Sequence, residues 1–371
     1  MPGFSTGLRF LTYGLADSTT GGGNLCPRGQ QWERDGLATA MQPTGSGGHQ
    51  PTAATGRLGL EEAYAYCRRL ARTHYENFTV ASWLLPREMW QHTYNIYAFC
   101  RGVDDLGDEA AGGAAGPGGT GIKGGAIPLR GSPGPGGPGI NADRLALLDW
   151  WEGELHRCYH GSPSHPAFIA LAETVRRFNI PAEPFLKLIE ANRIDQRQSR
   201  HPTFDDLLFY CEHSANPVGH LFLYLFGYTE KDYQRLSDYT CTALQLTNFW
   251  QDIAIDLGKG RIYIPTEDMD RFGYTEGDLE EGVVDERFRQ LMAFQADRTR
   301  HLFQLGLRLV KLVDRRLKLD LLLFSRGGMK ILERIERRGY DVFRRRPRLT
   351  RLDRAMILLH SLWDVRWPWP R

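Results

Sequence analysis

Several features that would fix a function at once are missing. No two of the six cysteines form a CxxC pair: Cys26, Cys67, Cys100, Cys158, Cys211 and Cys241 are scattered along 371 residues. That spread argues against a disulfide framework and for free thiols in a reducing compartment. No apolar run approaches the roughly 18 residues of a membrane-crossing helix. The first residues show no charged stretch followed by an apolar one, so no secretory signal is expected. A glycine pattern opening a strand–helix nucleotide fold is absent, as are a sustained alternating strand pattern and a solenoid repeat. With a net charge of +2, nothing pulls the whole chain toward nucleic acid. A cytoplasmic protein, soluble or peripheral at the inner face of the membrane, is the expectation. The hydrophobic fraction of 42% and charged fraction of 24% are those of an ordinary globular protein.

Glycine is scarce outside two stretches. Residues 1–56 hold 12 of the 41 glycines and residues 110–140 hold 13. A run such as Gly134-Pro-Gly-Gly-Pro-Gly139 cannot continue a helix, because proline lacks the donor and glycine costs backbone entropy. These stretches read as a flexible leader and an inserted loop around a domain spanning 57–362, with a Trp/Arg tail at 363–371. The remainder carries apolar residues at spacings of three and four. Helices are expected over 59–75, from Pro86 through Cys100, and over 143–158, 166–178, 182–198, 205–213, 217–227, 232–257, 285–314, 318–338 and 350–363. Many helices and short connections predict an all-α bundle.

Two acidic constellations stand out. In Asp104-Asp105-Leu106-Gly107-Asp108-Glu109, Asp104 and Asp108 share a helix face, as do Asp105 and Glu109. Like charges four apart destabilise a helix, so this cluster requires a cation or full solvation. The second is a stripe of Asn248, Asp252 and Asp256 every four residues, extended one turn earlier by Gln245. Between them lie Phe249, Trp250, Ile253, Ala254 and Ile255, too much apolar surface for a merely solvated face. Mg²⁺ takes oxygen ligands, usually one or two carboxylates plus phosphate oxygens. Two such stripes facing one another would hold Mg²⁺ against a diphosphate and take up its developing charge. Arg101, Lys259 and Arg261 are natural phosphate partners.

These residues resemble a known family. Tyr97-Ala-Phe-Cys-Arg101-Gly-Val-Asp104-Asp105-Leu-Gly-Asp108-Glu109 is similar to the first aspartate-rich motif of squalene and phytoene synthases. Gln245-Leu-Thr-Asn248-Phe-Trp-Gln-Asp252-Ile-Ala-Ile-Asp256, followed by Gly260-Arg261-Ile-Tyr-Ile-Pro265, resembles their second. Tyr210-Cys-Glu-His-Ser214-Ala-Asn216-Pro-Val-Gly219 resembles the tyrosine-bearing helix break, and His74 through Pro86 their phosphate-binding segment. Order and spacing agree over about 57–360, the inserted loop aside. Glu76-Asn77-Phe78, Ser214-Ala-Asn216 and Thr247-Asn-Phe-Trp-Gln-Asp252 look like the hydroxysqualene synthase branch. The second motif departs from the aspartate-glutamate-aspartate form of eukaryotic squalene synthases.

The resemblance implies the isoprenoid-synthase helical bundle with a central cavity. It implies presqualene diphosphate as substrate, ionised with Mg²⁺, the cation being captured by water to give hydroxysqualene. Asp104, Asp105 and Asp108 would carry metal from one side, and Asn248, Asp252 and Asp256 from the other. His74, Tyr97 and Arg101 would contact the diphosphate, and Tyr210 would line the reacting centre. Asn77, Ser214, Asn216, Gln245, Lys259 and Arg261 complete the expected substrate contacts. Other readings stay open. Ser214 and Asn216 position a water or only satisfy backbone around the break at Pro217. Tyr97 and Tyr210 are otherwise core aromatics, and His74 a surface histidine. The enzyme could instead join two prenyl diphosphates, such as farnesyl diphosphate, head to head into presqualene diphosphate, squalene or phytoene. A non-catalytic assembly factor of the same fold is the alternative of another class. Finally, Arg334, Arg337, Arg338, Arg344, Arg345, Arg346 and Arg348 crowd one stretch. It reads as a solvated helix end or a contact with anionic lipid, and the tryptophans of the tail suit a membrane interface.

Overall fold

The computed structural model describes residues 59–73, 85–109 and 139–366, with the side chains of 108–109 and 139–142 outside that description. The leader, the body of the insert, and the calls on His74 and Asn77 lie outside the described residues, as does the tail beyond Arg366.

Every regular element among the described residues is helical. The order is α1 (Leu60–Thr73), α2 (Arg87–Glu109), α3 (Gly139–Tyr159), α4 (Pro166–Phe178), α5 (Glu183–Arg197), α6 (Phe204–Ser214), α7 (Asn216–Leu225) and α8 (Lys231–Leu257). There follow α9 (Thr266–Arg271), α10 (Glu276–Glu280), α11 (Glu286–Gly306), α12 (Arg315–Glu336) and α13 (Arg351–Arg366). The fold class matches the expectation. Two short helices, α9 and α10, were not anticipated. The second is set by a capping box: Thr275 Oγ1 accepts from Asp278 N at 3.0 Å and Asp278 Oδ2 accepts from Thr275 N at 2.9 Å. The helix expected over 285–314 ends at Gly306 and tightens into a 3₁₀ turn over Leu307–Lys311. Chain direction changes between α6 and α7, where Ala215 leaves helical geometry and Pro217 supplies no donor.

The core has two main parts. One lies among α1 to α5, where Phe99, Trp151, Phe168 and Phe185 interlock edge to face. The other surrounds α8, which packs on α7, α11 and α12. Trp250 of α8 is buried, and its Nε1 donates to Thr299 Oγ1 of α11 at 2.9 Å. Gly219 of α7 lies so close to Ser237 and Cys241 of α8 that any Cβ there would overlap them. Its absence of a side chain sets how near α7 comes to α8.

The last helix, α13, turns polar residues inward and apolar ones outward. Asp353 and Ser361 are buried, Arg334 and Arg326 of α12 pair with Asp353 and Asp364, and Arg326 Nη1 donates to Ser361 Oγ at 3.0 Å. Outward it presents Leu352, Met356, Leu359, Leu362 and Trp363, between 44% and 70% exposed. Trp363, placed at the start of the tail by sequence, belongs to this helix.

Candidate active site

The acidic face of α2 is not left to solvent. Asp104 is buried and Arg101 Nη2 meets Asp105 Oδ1 at 2.5 Å, one helical turn away. The cation that this cluster requires is thus supplied in part by its own helix. Burial works against the Arg101 charge, but Asp105, Tyr97 and Asp104 outweigh it and raise its pKa. Tyr97 is itself buried, and desolvation lifts its phenol well above the ordinary range. From α5, Asn192 Nδ2 donates to Asp104 Oδ1 at 3.4 Å.

Asp104, Tyr210 and Ser214 come together around a narrow cleft of about 10 Å³ closed by Asn192, Asp195 and Val218. Three of the expected site residues, from α2 and α6, therefore face one space. The Ser214 hydroxyl is buried and has no hydrogen-bond partner among the described residues. Asn216 does not share this cleft. Its Oδ1 accepts from Thr242 Oγ1 of α8 at 3.0 Å, which ties α7 to α8. Asn192 and Asp195 were missed by sequence reasoning. Their signal was present: Leu188, Ala191, Asn192 and Asp195 fall at helical spacing and all face the cleft.

On α8 the oxygen-bearing stripe is buried throughout: Gln245 and Asn248 are 0% exposed, Asp252 1% and Asp256 2%. Phe249, Trp250 and Ile253 are buried beside it, whereas Ile255 is 42% exposed. Asn248 has no hydrogen-bond partner at either amide atom among the described residues. Asp252 is gripped by Arg346, which donates to both carboxylate oxygens, Nη2 to Oδ2 at 2.9 Å. Gln251 Nε2 donates to the backbone carbonyl of Pro347 beside it. Arg346 is thus not part of a solvated helix end. Arg334 is likewise drawn into the fold by Asp353, whereas Arg337 and Arg344, 69% and 91% exposed, keep the solvated character expected of the run in surface pairs with Glu333 and Asp341. Beyond α8, Asp256 and Arg261 line another narrow cleft of about 10 Å³, and Arg261 Nη1 lies 3.6 Å from Asp195 Oδ2. Lys259 is exposed in the turn after α8.

Aromatic rings wall the site. Phe249 and Tyr263 stack at 3.9 Å with an interplanar angle of 8°, and Tyr210 lies 5.8 Å from Tyr263 and 6.1 Å from Phe249. His201 stacks on Tyr263 at 5.5 Å. Burial lowers its pKa to about 4, so it is neutral at physiological pH. Neutral π faces attract a cation, worth about 0.5–2 kcal/mol at each ring.

Among the described residues, no three His, Cys, Asp or Glu side chains converge on one point suited to a metal ion. The donor set nonetheless fits a hard divalent cation. Asp104, Asn248, Asp252 and Asp256 are buried oxygen groups, and neither amide atom of Asn248 has a hydrogen-bond partner among the described residues. Mg²⁺ characteristically takes one or two carboxylates and completes its shell from phosphate and water, so a gathered protein cage is not required.

The profile of the squalene/phytoene synthase family matches residues 71–353. The chain belongs to that family, whose members are enzymes of isoprenoid biosynthesis acting on prenyl diphosphates with a divalent metal. Among curated relatives, 15-cis-phytoene synthase of Synechococcus elongatus is 31% identical over 301 residues, covering 77% of this chain and 88% of its own. Phytoene synthase of Arthrospira platensis is 30% identical over 310 residues, with 80% and 91% covered. Among solved structures, squalene synthase HpnC from Alicyclobacillus acidocaldarius is 44% identical, with a TM-score of 0.67 over 78% of this chain and 99% of that one. A dehydrosqualene synthase with ligand shares the fold at a TM-score of 0.69 and 23% identity, over 83% and 98% of the two chains.

Proposed function

We propose that this enzyme converts presqualene diphosphate to hydroxysqualene. The observation that carries the reading is the buried Ser214 hydroxyl, without a partner among the described residues, in the same cleft as Asp104 and Tyr210. The greater identity to squalene synthase HpnC than to the phytoene synthases supports it. Bound Mg²⁺ would supply positive charge for the leaving diphosphate. Asp104, Asp105 and Asp108 on α2, and Asn248, Asp252 and Asp256 on α8, are the residues to hold it. Tyr97, Arg101, Lys259 and Arg261, together with His74, Asn77 and Gln245, are proposed to bind and orient the diphosphate end. The carbon–oxygen bond breaks with its electron pair going to diphosphate. Tyr210 and the stacked rings of Phe249 and Tyr263 stabilise the carbon cation. The cyclopropylcarbinyl cation rearranges, and a ring carbon–carbon bond breaks as its electron pair forms an alkene. Ser214 orients a water whose oxygen bonds to the rearranged cationic carbon and whose proton passes to the departing diphosphate.

Mass spectrometry of the products from presqualene diphosphate, with and without NADPH, tests this. Hydroxysqualene independent of NADPH is expected, and Ser214→Ala should lower its share at least several-fold. Formation of presqualene diphosphate from farnesyl diphosphate alone would overturn the reading in favour of a condensing enzyme. Replacing Asp104 and Asp252 together with Asn should abolish turnover in a folded protein; normal turnover would remove the metal assignment.

We also propose that the enzyme docks on the anionic membrane surface through α13. Leu352, Met356, Leu359 and Trp363 recur at spacings of four, three and four on its outer face. Exposed Arg348, Arg351 and Arg366 flank them, the pattern of a helix lying in the interface. No described helix is long and apolar enough to cross a membrane. Leu359→Glu with Trp363→Glu should reduce co-sedimentation with phosphatidylglycerol vesicles about ten-fold. Unchanged binding, or an equal fall on neutral vesicles, would refute the surface; loss of a dimer instead would make it an interface between copies.

A further inference from the structure

One arginine braces the turn that follows α8. Arg200 lies between α5 and α6, in a segment laced to that turn by its backbone. Ile262 N donates to the Ser199 carbonyl at 3.0 Å, and Thr266 N to that of His201 at 2.9 Å. The Arg200 guanidinium adds three contacts. Nε and Nη2 donate to the two carboxylate oxygens of Glu276, at the start of α10, at 2.9 and 3.1 Å. Nη1 donates to the carbonyl of Gly260 at 2.6 Å and to that of Ser199 at 3.0 Å.

Which peptide is held decides what this does. Gly260 sits at a φ of 75°, and it has no side chain to restrict its rotation. The peptide joining it to Arg261 is planar, so its carbonyl and its N–H turn together. Arg200 fixes the carbonyl, and the N–H donates to the carbonyl of Asp256 at 2.9 Å. With both edges of that plane pinned, the direction in which Arg261 leaves the chain is set. The Arg261 side chain is 14% exposed beside Asp195 and lines a cleft with Asp256. Arg200 lines neither this cleft nor that of Asp104 and Ser214. Stability gives little account of the brace: Arg200 and Glu276 are 34% and 45% exposed, and such pairs add little to folding. Only a planar fork reaches carboxylate and carbonyl at once, which an ammonium cannot do.

We propose that Arg200 is a positioning residue for diphosphate binding: it orients Arg261, and Glu276 orients Arg200. This rests on the reading above that Arg261 binds the diphosphate end. The short helix α10 is then the abutment against which Arg200 is held.

Calorimetric binding of inorganic pyrophosphate to the full chain in excess Mg²⁺ tests this. Arg261→Met should weaken binding about ten-fold, the worth of one hydrogen bond to a charged group. Arg200→Met should weaken it about three- to five-fold, because Arg261 remains but loses its set direction. Added to Arg261→Met, Arg200→Met should cost nothing further. Arg200→Lys should recover only part of the loss. Glu276→Gln separates positioning from charge. It removes a negative charge, so charge alone would tighten binding, whereas lost positioning loosens it about two-fold. Thermal unfolding of each variant should stay near that of wild type. Wild-type affinity in Arg200→Met, an equal loss from Arg200→Met with and without Arg261, or tighter binding in Glu276→Gln would overturn the proposal. Glu276→Gln decides the matter if Arg200→Met fails to fold. Wild-type affinity in Arg261→Met would instead remove Arg261 from the diphosphate site, and the proposal with it. Pyrophosphate carries no chain and no turnover is measured, so each outcome is separable from failure of the proposed reaction.

Discussion

The pairing of Arg346 with Asp252 yields a quantitative expectation. Asp252 is 1% exposed, so its negative charge has almost no water to solvate it, and Arg346 meets both of its oxygens. Removing one partner of a buried pair costs about 3–5 kcal/mol, mainly the penalty of the charge left behind. The arginine side chain is 31% exposed, which screens its contribution and lowers the expectation to about 2 kcal/mol. Arg346→Met keeps the aliphatic stem and removes the charge. The segment stays tethered, because Gln251 still holds the carbonyl of Pro347. In urea unfolding without metal, Arg346→Met should lose about 2 kcal/mol, Asp252→Asn less, and the double variant little beyond the larger single loss. If Asp252 is also a metal ligand, Arg346 competes with the cation for it. Millimolar Mg²⁺ should then stabilise Arg346→Met more than wild type, by the logarithm of the ratio of their affinities. A coupling energy within about 0.5 kcal/mol of zero would refute the reasoning about burial. Equal stabilisation of both proteins by Mg²⁺ would refute the competition.

Other expectations concern groups away from that pair. Burial depresses His165 and His201 to about 4, while in the unfolded chain both titrate near 6.5. Between these values the unfolded state binds more protons, so stability falls as pH drops from about 6.5 toward 4. Each histidine should cost roughly 1–2 kcal/mol by pH 5, seen as a pH-dependent urea midpoint that His201→Gln flattens in part. A Cβ at Gly107 would overlap the Asn192 amide. Gly107→Ala should therefore displace the donor to Asp104, lower kcat, and cost about 1–3 kcal/mol in thermal unfolding. Asp320→Leu should raise the unfolding temperature, because it replaces a buried acid, unmet among the described residues, with hydrocarbon in the wall of an apolar cavity between α7, α8 and α12.

What the sequence discloses follows from the range over which each feature is determined. The stripe of Asn248, Asp252 and Asp256 is local: helical periodicity alone puts them on one face, and the intervening Phe249, Trp250 and Ile253 ensure that α8 is buried. The short helix α10 was also within reach, since Thr275-x-x-Asp278 is a capping signature; its few residues give periodicity too little to work on. Arg346 was out of reach. It lies 94 residues from Asp252, in a run of arginines where composition gives no reason to prefer one over its neighbours. Only the return of the chain after α12 selects it. Asp320 was hidden for the opposite reason. In Leu317-Lys318-Leu319-Asp320-Leu321 it resembles any charged residue of an amphipathic helix, and only packing shows that its face is turned into a cavity.

Together these residues divide the interior by charge. The cleft at Asp104, Asn192, Asp195 and Ser214 is polar and meets the arginines at 101 and 261 through Asp105 and Asp195. The larger cavity beyond Val218 is apolar except for small hydroxyl and thiol groups and a carboxyl held neutral. A ligand with a doubly charged head and a long hydrocarbon body can be oriented in only one sense across such a boundary. Reversing it would place charge against Phe222 and Leu244 and strip water from it without replacement. Tyr210 and Val218 line the polar cleft, and Val218 also borders the apolar cavity. In the proposed reaction the bond between head and chain would lie toward Tyr210 in the polar cleft, where an aromatic face favours a carbon cation and the neighbouring His201 adds no opposing charge. In the proposed reaction, orientation and cation stabilisation would follow from one arrangement: the polar stripe of α8 runs on from the segment, Ser237 to Leu244, that walls the apolar cavity.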